Sequence, residues 1–216
     1  MTDRTPIARG PIAPASPEVV VAGWAVTGRR ADADLVITDC SPMAKVSLKA
    51  SELGAVAQQL GVPFGRARRE VWAVDDGEVS VLVVGSGPGE WLVLAPPGTQ
   101  DVVAEHLSTA WATGPAELAT VVDLTHGRAL VRVTGARSAR LLAKETAVDL
   151  GDTMCPDGTA LRTAVATLAT DLVRDDRAGV SSYLVHCERS SGQYLFDCLV
   201  DAGREFGIEV DGFRVD

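Results

Sequence analysis

Apolar and polar residues alternate in short stretches along most of the chain, and helical spacing is confined to four places. Val36-Ile37-Thr38 is a short β-prone run closed by the turn signal Asp39-Cys40-Ser41-Pro42. Lys45-Val46-Ser47-Leu48-Lys49 alternates as a half-buried strand does. Ser51 then offers a cap for a helix with Leu53, Val56, Ala57 and Leu60 inward, and Gly61 and Pro63 end it. Glu70 to Val74 and Val79 to Val84 read as two strands joined by Asp75-Asp76-Gly77. After the loop Gly85-Ser86-Gly87-Pro88-Gly89, Glu90 to Ala95 is a further strand, closed by Pro96-Pro97-Gly98. Val102, Val103, His106, Leu107 and Ala110 recur at helical spacing.

The second half repeats this grammar. Thr120 to Leu124 is a strand, His126-Gly127 a turn, and Ala129 to Thr134 a second strand. Gly135 and Ala136 open a helix carrying Ala139, Leu141, Leu142 and Ala143, and Gly151 to Gly158 is a loop. Thr163 to Val173 is mostly apolar, and its β-branched content predicts a strand. Asp175 to Gly179 is a turn and Val180 to Cys187 the partner strand. Ser190 or Ser191 caps a final helix with Leu195, Cys198, Leu199, Ala202 and Phe206 on its inner stripe, before a short strand from Gly207.

Two halves of strand, helix, paired strands and helix predict an α+β architecture. Residues 1–31 carry Pro6, Pro11, Pro14 and Pro17 and read as an extended or partly disordered arm. Residues 32–115 form the first half and 116–216 the second, fused into one structure, with the boundary near Trp111 to Leu118.

Twenty Lys and Arg against 29 Asp and Glu give a net charge of −9. That balance argues against non-specific binding to nucleic acid or to an anionic membrane. No apolar run suggests a secretory signal or a membrane span, so a cytoplasmic protein is expected. In that compartment Cys40, Cys155, Cys187 and Cys198 are expected as free, mostly buried thiols.

Candidate chemistry is sparse. Gly85-Ser86-Gly87-Pro88-Gly89 lacks the phosphate-loop spacing, Pro88 removes an amide donor, and a strand follows it. His186 and Cys187 point to opposite faces of a strand and make a poor metal-ligand pair. Asp123-Leu124-Thr125-His126-Gly127-Arg128 is the most unusual polar cluster, with Asp123 read as a turn cap and His126 as a turn hydrogen-bonder. Glu188-Arg189-Ser190-Ser191-Gly192 sits at a strand-to-helix junction. There the serines satisfy first-turn amides, Gly192 permits close packing, and Glu188 and Arg189 pair within the chain or with a partner. Arg66, Arg68 and Arg69 form a basic cluster suited to a solvated loop or an acidic partner. Trp24 is a candidate interface anchor, unless it folds back on its own domain. These residues favour a binding or structural role in a complex over catalysis.

Glu90-Trp91-Leu92-Val93-Leu94, then Val122-Asp123-Leu124-Thr125-His126-Gly127-Arg128-Ala129 and Val133-Thr134-Gly135, resemble the gamma subunit of heterotetrameric sarcosine oxidase. So does Glu188-Arg189-Ser190-Ser191-Gly192-Gln193-Tyr194-Leu195-Phe196-Asp197, with Glu205-Phe206-Gly207 behind it. The resemblance runs from about Asp32 to Ile208 and implies the folate-binding fold of the glycine-cleavage aminomethyltransferase. It implies a complex that oxidises sarcosine to glycine, reducing oxygen to hydrogen peroxide and releasing formaldehyde or 5,10-methylenetetrahydrofolate. FAD would lie in beta, FMN at the alpha–beta contact, NAD and the tetrahydrofolate site in alpha, and zinc in delta. This chain would hold no cofactor or metal, carry no catalytic residue, and contact alpha directly, with beta and delta in the same assembly. The alternative is a stand-alone folate-binding protein of the same fold in iron–sulfur assembly or repair. The Lys-Gly-Cys-Tyr-x-Gly-Gln-Glu pattern of such proteins is replaced here by Arg189-Ser190-Ser191-Gly192-Gln193-Tyr194.

Overall fold

The computed structural model describes residues 6–75, 77–109 and 117–215. Asp76 in the first predicted hairpin turn, Trp111, and most of the expected boundary between halves lie outside the described residues.

The N-terminal stretch is not an extended arm. It forms β1 (Ala8–Arg9), β2 (Glu18–Val21) and β3 (Trp24–Thr27), a sheet in the order β1-β3-β2. Ala22 and Gly23 have φ of 48° and 79°, the left-handed pair that a two-residue hairpin needs, and Val21 pairs with Trp24 across it. Trp24, Ala25 and Val26 are buried, so these strands have the apolar face that the proline count concealed.

Next come β4 (Val36–Asp39), β5 (Ala44–Lys49), α1 (Ala55–Leu60), β6 (Ala67–Val74), β7 (Gly77–Gly87), β8 (Glu90–Ala95) and α2 (Gln100–Thr109). The chain continues with β9 (Thr120–Asp123), β10 (Arg128–Thr134), α3 (Ser138–Leu142), β11 (Ala160–Val165), β12 (Leu168–Arg174), β13 (Ser182–Glu188), α4 (Gly192–Gly203) and β14 (Glu209–Asp211). Three local readings change. The run from Thr163 to Val173 is a hairpin, β11 and β12, turned by Ala166 and Thr167 at φ of 49° and 68°. Neither residue carries the usual glycine or asparagine signal for that conformation. Ser51 does not cap α1. The carboxylate of Glu117, remote in sequence, accepts from the Ser51 and Val56 amides at 3.1 and 3.2 Å, and Leu53 is exposed. Ser190 and Ser191 form a 3₁₀ turn with Arg189 that feeds α4, and neither hydroxyl caps it. The Gly192 amide bonds back to the Arg189 carbonyl, so the chain enters α4 already wound.

The strands form a five-stranded sheet, β6-β7-β8-β5-β9, and a six-stranded sheet, β11-β12-β13-β10-β4-β14. All pairs in both are antiparallel except β14 with β4. The sheets do not follow the division at residue 115. β4 of the first half pairs with β10 of the second, and β9 of the second pairs with β5 of the first. Each half thus lends the other a strand, which neither half could keep if separated.

Three apolar layers result. Val46, Leu48, Trp91 and Val93 of the five-stranded sheet pack on Val56, Leu60, Val103 and Leu107 of α1 and α2. Ile37, Val131, Val133, Tyr183 and Val185 of the six-stranded sheet pack on Leu141, Leu142, Leu195 and Leu199 of α3 and α4. The opposite faces of the sheets meet through Leu82, Val84, Leu92 and Leu94 against Leu130, Val173 and Leu184, with Trp24 and Phe213 joining them. Helices cover the outer face of each sheet, and the strand period of two sends alternate residues into different layers.

Candidate functional site

The layer between the sheets is apolar at its centre and charged on both sides. On the β10–β4 side it opens into a cavity of about 400 Å³, a size that suits a small organic ligand. Its apolar wall includes Met43, Leu82, Leu94, Leu184 and Phe213, and its hydroxyls are Thr38, Ser80 and Thr134. Arg69, Arg132, Arg177 and Arg214 bring guanidinium groups to the same space. Strand alternation accounts for several of these positions: Arg132 and Thr134 share one face of β10, while Val131 and Val133 fill the helix-side core.

Three of the four arginines converge on one buried acid. Asp175 Oδ2 accepts from Arg69 at 2.5 Å and Arg132 at 2.6 Å, and Arg177 Nε stands 3.4 Å from the same oxygen. Arg132 also donates to the Asp175 carbonyl at 3.2 Å and to Ser182 Oγ at 2.8 Å. Burial would raise the Asp175 carboxyl, but Arg132 and Arg69 outweigh it and hold it below the ordinary carboxylate range. Cys40, which lines the cavity, is pushed up to about 11 by burial, so its sulfur stays a thiol at neutral pH.

The β11–β12 side is a ladder of paired charges. Lys49 bonds Glu90 at 2.7 Å, and Arg162 reaches Glu90 at 3.2 Å and Asp171 at 2.9 Å. His186 Nδ1 lies 3.4 Å from Asp171 Oδ2. Burial lowers the His186 imidazole below its usual value, partly countered by Asp171, so the ring is neutral at pH 7. Cys187 faces the helix-side core, opposite to His186, as strand geometry requires.

Lys45 stands between the two sides and is fully buried. Its ammonium donates to the Ser41 and Met43 carbonyls, both at 2.7 Å. Burial lowers it to about 8, against the pull of Asp39.

The residues singled out from the sequence separate into two groups. Arg66 is exposed beside Thr159, to which its backbone bridges. Arg68 and Arg69 are adjacent on β6 and so face opposite ways. Arg68 pairs with Glu70 and donates to the Leu60 carbonyl at 2.8 Å, whereas Arg69 enters the cavity. The other group gathers at one place. Trp24 stacks on His126 at 4.6 Å between ring centroids, and at 6% exposure it belongs to the chain's own core, not to an exposed anchor. Asp123 accepts from the Thr125 amide at 2.8 Å, the turn-capping role expected of it. Arg128 pairs with Glu188 across β10 and β13. Arg189 donates to the carbonyls of His126 at 3.1 Å and Arg9 at 2.7 Å. Gly192 packs so closely that a Cβ there would meet Ala129 and Pro11 at 2.7 and 2.8 Å. This group ties the N-terminal sheet to the six-stranded sheet.

Sequence reading missed Lys45, Glu90, Arg132, Arg162, Asp171, Asp175 and Arg177 as members of charged sites. The signal was Arg132, a cation inside the otherwise apolar run Leu130-Val131-Arg132-Val133.

The match to known families decides the fold's kinship: residues 25–215 fit the family described as GCVT N-terminal domain. The chain belongs to the GCVT N-terminal domain family. The expected α+β architecture, with the aminomethyltransferase folate-binding fold, is the one observed. A comparison with curated proteins finds no match. Among solved structures, this GCVT-family chain is similar to the heterotetrameric sarcosine oxidase from Corynebacterium sp. U-96 in complex with pyrrole 2-carboxylate. The TM-score is 0.63 at 23% identity, covering 82% of this chain and 88% of the matched one. It is also similar to the glycine cleavage system aminomethyltransferase T from Bartonella henselae, with a TM-score of 0.71 at 14% identity. That match covers 90% of this chain but only 55% of the aminomethyltransferase, so the chain spans about half of that enzyme's length.

Proposed function

We propose that this protein is a gamma-type subunit of a heterotetrameric sarcosine oxidase and contributes no catalytic residue of its own. One observation carries the reading. The chain is 23% identical to a chain of the heterotetrameric sarcosine oxidase over 82% of its length, against 14% to the aminomethyltransferase. The residue patterns around Asp123 to Ala129 and Glu188 to Asp197 support the same reading.

In this role the chain binds the alpha subunit and stabilises it by mass action. Beta and delta complete a complex that demethylates sarcosine to glycine, using FAD, FMN, NAD, zinc and tetrahydrofolate held by the other subunits. The exchanged strands suit a scaffold, because they lock the two sheets into one body whose surface keeps its shape.

The test is a native purification of the chain from its own cells, with subunit masses and the visible spectrum of the eluate. Three co-purifying chains, a flavin spectrum and peroxide release on adding sarcosine are expected. A lone colourless protein would overturn the subunit reading in favour of a stand-alone folate-binding protein.

A further inference from the structure

We propose that the cavity on the β10–β4 side is a binding site for a small organic monocarboxylate with a flat or branched apolar body. This inference does not depend on the subunit reading. It begins with charge. Arg69 and Arg132 share the single carboxylate of Asp175, with Arg177 beside it, so among the described residues guanidinium groups outnumber the one acid at this point. Arg214, the cavity's outer cation, is matched by Asp211 at 3.3 Å. A surplus of guanidinium groups suits an anionic ligand.

The donors suit a carboxylate. Arg69 commits one Nη2 N–H to Asp175; its second Nη2 N–H, with either Nε–H or Nη1–H, leaves one complete guanidinium edge without a hydrogen-bond partner among the described residues. A guanidinium edge with two N–H groups matches the two oxygens of a carboxylate in a fork. The Thr134 hydroxyl, 3.0 Å from Ser182 Oγ, brings a further polar group to the cavity wall. Arg132 is anchored by Ser182 and the Asp175 carbonyl as well as by the carboxylate, so the cation is held in place before a ligand arrives.

The wall argues for an organic body over a bare inorganic anion. Met43, Leu82, Leu94, Leu184 and Phe213 give the cavity apolar surface beside its arginines, with Leu82 paired to Arg69 and Leu184 to Arg132 across neighbouring strands. Phosphate would gain nothing from that wall and would leave it wet. The C-terminal residues Gly212–Val215 form part of the rim. The Gly212 backbone lies so close to the Thr27 and Arg29 carbonyls that a Cβ would meet them at 2.4 and 2.7 Å, which pins the rim against the N-terminal sheet.

The experiment titrates the full chain with benzoate, benzamide and inorganic phosphate by calorimetry at low ionic strength. Saturable one-to-one binding of benzoate is expected. Benzamide, isosteric but uncharged, should bind roughly tenfold or more weakly, the loss for a charge-assisted hydrogen bond. Arg69→Gln should weaken benzoate by a similar factor and move the melting temperature by only a few degrees, because its side chain is 42% exposed. On the unaltered protein, the Nε–H nuclear resonances of Arg69 and Arg132 should shift with benzoate. Failure of benzoate to saturate at millimolar concentration would overturn the proposal. Unaltered benzoate affinity in Arg69→Gln, or phosphate binding as tightly as benzoate, would do so too.

Discussion

The two sides of the inter-sheet layer use the same residue types to opposite ends. On the β11–β12 side, Lys49 and Arg162 meet Glu90 and Asp171, two cations against two anions, and His186 beside them is neutral. On the β10–β4 side, Arg69, Arg132 and Arg177 gather on the one carboxylate of Asp175, and a cavity remains. A balanced ladder spans the sheets and closes the gap. An unbalanced one leaves guanidinium N–H groups facing the cavity. The buried side chains also differ: Asp175 is 4% exposed and Arg132 11%, whereas Arg162 on the ladder is 53% exposed. The cavity side therefore carries the larger electrostatic stake per residue.

The strongest break in this comparison is removal of each acid in turn. Asp175→Ala strands the Arg132 guanidinium in a buried place and should cost about 3 to 5 kcal/mol in urea unfolding. Asp171→Ala leaves Arg162 free to turn to water and to Glu90, so about 1 to 2 kcal/mol is expected. Equal losses at the two sites would show that the asymmetry has no energetic meaning.

Lys45 sharpens the comparison, because it interacts with Cys40 on one side and His186 on the other. Its folded value of about 8 lies below its unfolded value of 10.5. Between those two pH values the unfolded chain holds a proton that the folded chain has lost, so this residue's contribution to stability rises with pH. The stability of the Cys40→Ala protein relative to Cys40→Ala with Lys45→Met should increase from pH 8 to 10.5, by at most about 1.4 kcal/mol per pH unit. The Cys187 thiol titration runs the other way but is common to both proteins and cancels in the difference, and Cys40, which interacts with Lys45, is replaced by Ala in both proteins so that its titration drops out. A flat difference curve would mean that Lys45 keeps its proton inside the fold.

At the acid end, Asp175 has a folded pKa below its unfolded one. Its stabilisation is present above the unfolded carboxylate value and is lost as pH falls through the folded one. The acid unfolding curve below pH 4 should therefore be shallower in Asp175→Ala, read by circular dichroism.

The smallest effects belong to the exposed cations. Arg69→Gln and Arg162→Gln should each change stability by less than about 1 kcal/mol, and 0.5 M salt should shrink the Arg162 effect further. A larger loss at Arg162 would make the ladder, not the Asp175 group, the principal tie between the sheets.

Most elements were legible in the chain's own patterning. The alternation at Lys45–Lys49, the helical stripe at Leu195, Leu199 and Ala202, and the turn cap at Asp123 all depend on neighbours a few residues away. The same local physics governs them in the folded protein. Alternation, however, says which residues share a face and not what covers it. Lys45 has the pattern of a solvent-facing lysine, and it is buried because a second sheet lies over that face. The loan of β4 and β9 between halves, the capping of α1 by Glu117, and the burial of Trp24 against His126 were set by partners dozens to a hundred residues away. The same holds for Asp175, which has the signature of a turn residue until β6 and β10 bring Arg69 and Arg132 to it. Short-range preference determined the elements of this protein. Only long-range packing, where burial and charge are decided, determined which of its residues make a site.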